Sequence, residues 1–405
     1  MKALVAVVAG GAGMIGSSLC ETLLRKGNEV ICLDNLSTGR IGNVEPLFGN
    51  PRFHFIHHDV TCDLPDLPAP DRVFHLASPA SPVGYSRLPI ETMLANSEGT
   101  RRLIGLARGH GARFLFCSTS EVYGDPQVHP QTETYRGNVS PIGPRSTYDE
   151  SKRYGEAMTM AYVRSYGLDG RIVRIFNTYG PYADAQDGRV VVNFIGQALR
   201  GEPMTIYGDG MQTRSLCYVA DLVEGLIGVM EAERTRGEVV NLGNPDEHTV
   251  LEIAEIVRRL THSTSRFIFT PPAVADDPRV RRPNIDKARS LVGWAPSTPL
   301  EVGLRVMIRA MGGEANGNGK AHDASAAHAN GDMSNGHANG ATMNGHANGA
   351  TANGDMANGH ANGDVANGHA NGHANGHENG AASGESHNGA AFTHVPGSPG
   401  AGDPA

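Results

Sequence analysis

The chain begins with an alternation of short apolar runs and amphipathic stretches. Residues 3–9 and 29–33 are apolar runs of the kind that form buried strands, and residues 14–26 between them have the spacing of a helix. Buried parallel strands have nearly continuous apolar sequences, because helices cover both faces of their sheet. The pattern therefore predicts a strand, helix and strand at the start of the chain.

The same alternation continues as far as residue 176. The further elements predicted along this stretch are strands at 53–56, 72–76, 113–118 and 170–176, and helices near 90–109 and 149–166. Short strands that alternate with longer helices are typical of a doubly wound parallel sheet covered on both faces. We therefore expect an α/β fold of the Rossmann type.

Beyond residue 176 the alternation weakens, and proline and glycine become more frequent. Helices are predicted near 191–200, 219–233 and 250–260, linked by short strands. We expect residues 177–311 to form a smaller C-terminal lobe over the carboxyl ends of the strands, where sheets of this kind bind ligands. A ligand would then lie between the two lobes.

From about residue 312 the sequence changes to variants of Asn-Gly-His-Ala, with almost no branched aliphatic or aromatic side chain to bury. Such a segment cannot offset the conformational entropy lost on folding, so residues 312–405 are predicted to be a disordered tail. The tail holds ten of the eighteen histidines. Because they lack fixed geometry, any metal binding would be weak, and we interpret the tail as a solvated appendage without a metal site.

Charge and cysteine content narrow the function classes. The formal net charge of −8 is spread along the chain without a basic stripe, which argues against nucleic acid as a partner. The five cysteines lie far apart without a Cys-x-x-Cys pair, which predicts reduced thiols in a cytoplasmic protein. The apolar run after Lys2 is short and ends in glycines, and none reaches about eighteen residues, so we expect neither a secretion signal nor a membrane span.

A glycine-rich segment follows the first predicted strand and opens the first predicted helix. In Gly10-Gly11-Ala12-Gly13-Met14-Ile15-Gly16, Gly10 suits a tight turn, Gly13 lets a pyrophosphate approach the backbone, and Gly16 allows close helix packing. The helix N-terminus adds free N–H groups for phosphate. Residues 1–176 are therefore predicted to be a dinucleotide-binding domain.

Asp34 ends the second predicted strand, where its carboxylate can accept hydrogen bonds from both ribose hydroxyls of a dinucleotide and repel a 2′-phosphate. NAD is therefore predicted in preference to NADP. Arg40 lies close by and is interpreted as a solvated surface residue.

Tyr148 and Lys152 have a Tyr-x-x-x-Lys spacing on a predicted helix, which places both side chains on one face, one turn apart. A tyrosine with its usual pKa of about 10 is protonated at neutral pH, and a nearby ammonium together with the nicotinamide charge would lower that pKa. Thr119 lies in Ser118-Thr-Ser-Glu-Val-Tyr-Gly124 at the carboxyl end of the preceding strand, where it could bond a sugar hydroxyl. This set suits a tyrosine base.

Together with Asn177-Thr-Tyr-Gly-Pro181, these motifs resemble the extended short-chain dehydrogenase/reductases that modify nucleotide sugars, over nearly all of residues 1–311. Within that superfamily the pair Ser120-Glu121 looks like the UDP-glucuronate decarboxylases, since the 4,6-dehydratases resemble Asp-Glu there and the 4-epimerases lack the acid. The longer segments that carry this resemblance are Pro79-Ala-Ser-Pro82, Thr119-Ser-Glu-Val-Tyr-Gly-Asp-Pro126, Pro141-Ile-Gly-Pro-Arg145, Asp187-Gly-Arg-Val190 and Tyr207-Gly-Asp-Gly210.

The resemblance implies NAD-dependent decarboxylation of UDP-glucuronate to UDP-xylose through a 4-keto sugar, with NADH retained and reoxidised. Tyr148 would take the C4 hydroxyl proton while hydride passes to NAD, and the ketone would then act as the electron sink for loss of the C5 carboxylate. Glu121 and Arg214 would steer carboxylate loss and reprotonation at C5, with support from Ser120.

The family's site residues map onto three groups in this chain, and its dimer contact implies a homodimer formed by the helices near 90–109 and 149–166. Arginines are expected near the diphosphate because their planar fork donates two parallel hydrogen bonds. The implied catalytic residues are Thr119, Ser120, Glu121, Tyr148, Lys152 and Arg214. The implied cofactor contacts are Gly10, Gly13, Met14, Ile15, Gly16, Asp34, Asn35, Ser37, Thr38, Gly39, Asp59, Val60, Leu76, Ala77, Ser78, Tyr148, Lys152, Thr178 and Arg189. The implied contacts of the UDP-sugar substrate are Tyr162, Asn177, Arg189, Tyr207, Gln212 and Arg281.

Three positions depart from the pattern of that family. The chain has Tyr182 where arginine is usual, Leu94 where lysine is common and Asn284 where aspartate is common. The loss of two cations would fit another sugar, or a branch that holds the carboxylate differently.

Two alternatives therefore stay open. One is a 4-epimerase or 4,6-dehydratase of the same superfamily, and the other is a non-catalytic NAD-binding scaffold. The intact Thr119, Tyr148 and Lys152 argue against a scaffold, which has no need of a proton-transfer set.

Overall fold

Seven parallel strands form the central sheet of the computed structural model, which describes residues 3–271 and 280–313. Along the chain the strands are β1 (Val5–Ala9), β2 (Glu29–Asp34), β3 (Phe53–His57), β4 (Arg72–His75), β5 (Arg113–Thr119), β6 (Gly170–Ile175), β7 (Thr178–Tyr179), β8 (Met204–Tyr207), β9 (Thr213–Ser215), β10 (Cys217–Tyr218), β11 (Val239–Leu242), β12 (Glu247–Thr249) and β13 (Phe267–Thr270).

The sheet has the strand order β11-β6-β5-β4-β1-β2-β3, and every neighbouring pair is parallel. The chain winds from β1 outward to β3 and then crosses back to continue from β4 on the other side. This reversal between β1 and β4 is the place where doubly wound sheets bind ligands, beyond the carboxyl ends of the strands. The predicted α/β Rossmann-type fold is confirmed.

Helices follow most of these strands. They are α1 (Met14–Arg25), α2 (Pro82–Arg87), α3 (Pro89–Leu94), α4 (Thr100–His110), α5 (Ser146–Tyr166), α6 (Val190–Leu199), α7 (Val219–Glu231), α8 (Val250–Leu260), α9 (Asp286–Val292) and α10 (Leu300–Ala310). The helix predicted near 90–109 consists of α3 and α4 joined by a π-helical turn, Ala95–Gly99. The sequence pattern missed α2, α9 and α10.

The side chains of the central strands alternate between two apolar layers. Val8 of β1 packs in the layer that contains Leu19 and Leu23 of α1. Val7 of the same strand faces the opposite layer, with Leu103 of α4. Because both faces are buried, the register of the strands is fixed, and so is the row of residues at their carboxyl ends.

The division of the chain into residues 1–176 and 177–311 stays a prediction. The large sheet draws its outermost strand, β11, from the second part, where Val239 pairs with Ile172 of β6. The predicted tail, apart from residues 312 and 313, lies outside the described residues. In the part of the chain that the structure describes, no helix is both long and apolar enough to cross a bilayer.

Candidate active site

A cleft lies beyond the carboxyl ends of β1, β2 and β4. Most residues predicted to contact a cofactor line it, namely Gly10, Gly13, Asp34, Asn35, Ser37, Thr38, Gly39, Asp59, Val60, Leu76, Ala77 and Ser78. Leu94, named above as a departure from the family pattern, also lines the cleft, and the lining residues that were not predicted are Leu33, His58, Thr61, Pro79, Glu91 and Ala95. They lie at or after strand ends, in α3 or in the turn after it, so strand order together with the α3 position would have indicated them.

The glycine segment turns sharply between β1 and α1. Gly10 has a φ of +81°, and a Cβ there would lie 2.6 Å from the Ala77 nitrogen; a Cβ on Gly16 would lie 2.1 Å from the Gly10 oxygen. The fold itself therefore requires both glycines. At Gly13 the nearest atom to such a Cβ is 3.5 Å away, so the protein has room there. Met14 and Ile15 begin α1 behind Gly13, which offers no side-chain cap.

The open space at Gly13 and the uncapped N-terminus of α1 fit a phosphate group, because the first N–H groups of a helix lack partners within it. Asp34 fits a ribose at the other end of the cleft. Its carboxylate accepts hydrogen bonds from the Ala12 nitrogen at 2.9 Å and the Leu36 nitrogen at 2.8 Å. Burial raises the pKa of Asp34, and these two bonds oppose that rise. The residues present therefore fit a dinucleotide.

Thr119, Tyr148 and Lys152 come together where β5 ends and α5 begins. The Thr119 hydroxyl hydrogen-bonds the Tyr148 hydroxyl, but burial outweighs this bond and raises the Tyr148 pKa above its ordinary value. Lys152 donates from Nζ to the carbonyl oxygen of Cys117 at 2.8 Å, and its nitrogen lies 5.9 Å from the centre of the Tyr148 ring. Burial lowers the pKa of Lys152 to about 8. The predicted pair is thus buried, and its lysine holds its proton less tightly than usual.

Tyr85 of α2 stacks on Tyr148, with ring centres 5.1 Å apart and planes inclined by 10°. It is buried, and burial raises its pKa to about 12. The sequence analysis missed this residue, because a single tyrosine in a segment rich in proline and serine gives no periodic signal. It fixes the plane of the tyrosine ring.

Glu121 lies in the turn Ser120–Tyr123 that follows β5, two residues beyond Thr119. Its carboxylate accepts hydrogen bonds from Arg145 and from both terminal nitrogens of Arg281, one of them at 2.8 Å. Burial raises the pKa of Glu121, but the two arginines outweigh burial, and the net effect is a lowered pKa. Glu121 is therefore held as an anion between two cations. We refer to Glu121, Arg145 and Arg281 as the carboxylate cluster.

The carboxylate cluster contains two contacts that the sequence did not predict. Arg281, predicted to contact the UDP-sugar, pairs with Glu121 in the structure, and its substrate contact stays a prediction. Arg145 was quoted only as part of a family segment, and its contact with Glu121 was not foreseen. Arg214 lies on β9, opposite His248 of β12, and donates to the Thr213 oxygen at 2.8 Å. The role predicted for Arg214 beside Glu121 stays a prediction.

Asp149, next to Tyr148, is a buried carboxyl group at the edge of the carboxylate cluster. One of its oxygens lies 3.9 Å from Nε of Arg145, and the other has no hydrogen-bond partner within the described residues. Burial raises the pKa of Asp149 to about 7, and the charge of Glu121 adds to the rise. One group at the edge of the carboxylate cluster therefore titrates near neutrality.

The remaining predicted residues lie on several elements of the C-terminal part. Arg189 precedes α6 and donates to the Ala80 oxygen at 3.2 Å, and its charge is one of the smaller influences that lower the Tyr148 pKa. Gln212 donates to the Tyr207 oxygen at 2.7 Å, so these two residues are brought together. In the segment after β6, the Asn177 oxygen accepts from the Cys217 nitrogen and the Thr178 hydroxyl donates to the Phe176 oxygen. Their contacts with substrate or cofactor stay predictions.

Tyr162 lies far along α5 from Tyr148, and its predicted substrate contact stays a prediction. Tyr162 packs against Tyr166, with ring centres 5.3 Å apart and planes inclined by 39°, and Arg108 of α4 lies over both rings. It is fourteen residues beyond Tyr148, which is about 21 Å along a helix.

One of the three departures from the family pattern, Leu94, lines the cleft. Leu94 ends α3 in the cleft lining and is half exposed. Tyr182 has a φ of +70°, and its carbonyl oxygen accepts a hydrogen bond from Asn43 at 3.3 Å. Asn284 donates to Asp286 at 3.0 Å, just beyond the segment that carries Arg281. Among the described residues, no group of histidine, cysteine or acidic side chains forms a metal site.

The chain is similar to one protein family and to named enzymes within it. The profile of the NAD dependent epimerase/dehydratase family matches residues 6–243. UDP-glucuronic acid decarboxylase 1 of Arabidopsis thaliana is 52% identical over 307 residues, 76% of this chain and 69% of the relative. UDP-glucuronic acid decarboxylase 1 of Danio rerio is 50% identical over 303 residues, 75% of this chain and 71% of the relative.

Solved structures with the same fold include two epimerases. UDP-glucose 4-epimerase of Thermotoga maritima, solved with UDP-glucose, has a TM-score of 0.70 and 31% identity, over 76% of this chain and 98% of that chain. UDP-glucuronic acid 4-epimerase of Bacillus cereus, solved with UDP-glucuronic acid and NAD, has a TM-score of 0.68 and 26% identity, over 76% and 99%.

Proposed function

The chain belongs to the NAD dependent epimerase/dehydratase family, and we propose that it decarboxylates UDP-glucuronate to UDP-xylose with NAD as a retained cofactor. The observation that carries this proposal is the carboxylate cluster, which lies two residues beyond the Thr119 of the proton-transfer set. Relatives that are 50–52% identical over about three quarters of the chain bear the name of this activity.

The proton-transfer set prepares the sugar. Bound in the cleft lined by Gly13 and Asp34, NAD would supply the acceptor for the C4 hydride and the donor for the later reduction. Thr119 hydrogen-bonds the C4 hydroxyl, and Tyr148 receives its proton as the phenolate. Because burial raises the pKa of Tyr148, a positive charge nearby is needed to stabilise the phenolate, and the Lys152 ammonium supplies one. The result is a ketone at C4.

The carboxylate cluster acts on the other side of the sugar. A carboxylate on C5 is β to the C4 ketone, so it can leave as carbon dioxide while its electron pair moves into the ketone. Glu121, held as an anion, repels the substrate carboxylate, and this repulsion disappears when neutral carbon dioxide forms. Arg145 and Arg281 keep Glu121 ionised and in place. C5 then takes up a proton, and the ketone is reduced again.

The predicted substrate contacts follow from this scheme as proposals. Arg189, Asn177, Tyr207 and Gln212 would bind the UDP portion, with Arg189 suited to the diphosphate because it can donate two parallel hydrogen bonds. Arg281 stays a proposed substrate contact and also pairs with Glu121.

Product analysis tests the proposal. The purified protein is incubated with UDP-glucuronate and NAD, and the nucleotide sugars are analysed by mass spectrometry. Formation of a UDP-pentose together with carbon dioxide is expected. A nucleotide sugar of unchanged mass would contradict the decarboxylase activity.

The same experiment distinguishes a second candidate function. The structural likeness to UDP-glucuronic acid 4-epimerase favours epimerisation at C4 as that alternative, since it would need the same proton-transfer set. Epimerisation keeps the mass and changes only the configuration at C4, which chromatography resolves.

We also propose a homodimer in the cytoplasm. Five large apolar side chains are exposed on α3 and α5, namely Ile90 at 62%, Met93 at 43%, Leu94 at 45%, Tyr154 at 52% and Tyr166 at 63%. Burying them against a second copy would remove apolar surface from water. All five cysteines are free, as expected for a reducing compartment. Sedimentation equilibrium of the purified protein tests the dimer, and a monomer at micromolar concentration would contradict it.

A further inference from the structure

Arg281 reaches Glu121 from a segment with no helix or extended strand of its own. The two residues are 160 positions apart in the sequence, and residues 280–285 connect into α9 without regular structure. An arginine on such a segment holds a fixed position only if its backbone is tied down by other contacts. The contacts that do this lie one to three residues beyond Arg281.

Gln131 supplies most of these contacts. Its backbone nitrogen donates to the Arg282 oxygen at 2.9 Å, and its backbone oxygen accepts from the Asn284 nitrogen at 2.8 Å. Its side-chain oxygen accepts from the Arg282 nitrogen at 2.8 Å, and its side-chain nitrogen donates to the Val128 oxygen at 2.9 Å. Gln131 is completely buried. A single residue thus satisfies the backbone on both sides of Pro283, which has no N–H to donate.

A second buried amide ties this junction to the sheet. Asn241 of β11 donates to the Gln131 oxygen at 3.1 Å and to the Asn284 oxygen at 3.3 Å. Its side-chain oxygen accepts from the Tyr123 hydroxyl at 2.8 Å, and Tyr123 belongs to the same turn as Glu121. Hydrogen bonds of Asn241 therefore connect the segment that carries Arg281 with the turn that carries Glu121.

We propose that Gln131 is a positioning residue for decarboxylation, because its carboxamide holds the backbone of Arg282 where Arg281 can pair with Glu121. This inference rests on the proposed function. Loss of the carboxamide leaves the Arg282 nitrogen without its acceptor and loosens Arg281, while Arg145 still contacts Glu121. Thr119, Tyr148 and Lys152 lie on β5 and α5, so oxidation at C4 is expected to continue.

Single-turnover kinetics separate the two half-reactions. Gln131→Met keeps the length of the side chain and removes its hydrogen bonds with Arg282, Val128 and His129. With UDP-glucuronate and NAD, we expect reduced nicotinamide to form at the rate of the unaltered protein, and carbon dioxide release to slow by about 10- to 100-fold, the scale of a displacement near 1 Å at a reacting centre. Reduced nicotinamide should then accumulate. Gln127→Met is the matched control, since Gln127 is in the same loop and exposed, and it should change neither rate.

A conservative variant guards against a folding defect. Gln131→Glu keeps an acceptor for the Arg282 nitrogen and should restore part of the carbon dioxide release that Gln131→Met loses. Equal loss of both half-reactions, or unchanged carbon dioxide release in both variants, would overturn the positioning role. Absence of carbon dioxide release from the unaltered protein would overturn the proposed function, and this inference with it.

Discussion

The proton-transfer set and the carboxylate cluster lie within a few residues of each other at the same edge of the sheet. Burial disfavours the charged forms in the first group, whereas ion pairs stabilise them in the second. In the proton-transfer set, the hydrogen bond of Lys152 goes to a neutral carbonyl oxygen, and burial lowers the pKa of the lysine to about 8. Burial likewise raises the pKa of Tyr148. Here the charged forms are disfavoured, so protons can move when substrate and cofactor change the field.

In the carboxylate cluster, by contrast, the charged form of the carboxyl group is favoured. Glu121 is also largely buried, but two arginines compensate its charge and lower its pKa. A charge paired in this way stays fixed through a reaction, whereas an uncompensated one shifts its pKa. The comparison suggests that the first group carries out the proton chemistry shared by the family, and that the second group sets what happens to the carboxylate.

The largest effect is expected for Tyr148→Phe. The substitution keeps the ring that stacks on Tyr85 and removes the hydroxyl that receives the proton. Turnover should fall by about 10²- to 10⁴-fold, the usual contribution of a general base. Reduced nicotinamide and carbon dioxide should be lost together, as measured by absorbance and by product mass. Carbon dioxide release without oxidation would contradict the order of the two steps.

Glu121→Gln should have the next largest effect. It keeps the shape of the side chain and removes the charge, which leaves Arg145 and Arg281 without their anion. We expect steady-state release of carbon dioxide to fall by about 10²-fold. Breaking a buried ion pair from one side costs about 3 kcal/mol, so the melting temperature should also fall. A variant with normal stability and normal turnover would remove the basis for treating the cluster as a unit.

Asp149→Asn tests the raised pKa of Asp149, which lies between the proton-transfer set and the carboxylate cluster, through the pH dependence of stability. The folded pKa of Asp149 is about 7, above its usual value near 4, so between these pH values the folded protein binds more protons than the unfolded chain. Stability contributed by the protonated group is therefore present below pH 4 and is lost as the pH rises to 7.

In Asp149→Asn the titrating carboxyl group is absent, so the variant does not lose this stability as the pH rises. Its free energy of unfolding should exceed that of the unaltered protein by about 4 kcal/mol at pH 8, and the advantage should disappear toward pH 4. Urea unfolding at both pH values measures it. A constant difference across this range would show that Asp149 is already ionised at low pH in the folded protein.

The smallest effect is expected for Tyr85→Leu. An aromatic pair contributes about 0.5–1.5 kcal/mol beyond the area it buries, so loss of the stack on Tyr148 should slow oxidation at C4 by roughly threefold to tenfold. Tyr85→Phe keeps the stack and is the matched control. Single-turnover formation of reduced nicotinamide measures both variants, and equal rates would show that the stack does not orient Tyr148.

The sequence predicted those parts of the site that depend on local spacing. Gly10 and Gly16 lie where a strand meets a helix, and Tyr148 and Lys152 are one helical turn apart, so short-range rules were sufficient. Strand ends in a parallel sheet share one edge, which placed Thr119 beside them.

The rest depends on contacts between distant segments. Arg281 meets Glu121 across 160 residues, and neither Gln131 nor Tyr85 has a neighbour in sequence that reveals its partner. Long-range contacts of this kind are properties of the folded chain.

The proposed division of roles between the proton-transfer set and the carboxylate cluster is tested most directly by the pre-steady-state kinetics of Glu121→Gln with UDP-glucuronate and NAD. Reduced nicotinamide and carbon dioxide are followed in the same single turnover. We expect reduced nicotinamide to appear at nearly the rate of the unaltered protein and to persist, while carbon dioxide release is about 10²-fold slower. If both signals slow by the same factor, the carboxylate cluster takes part in oxidation as well, and the division of labour between the clusters is wrong.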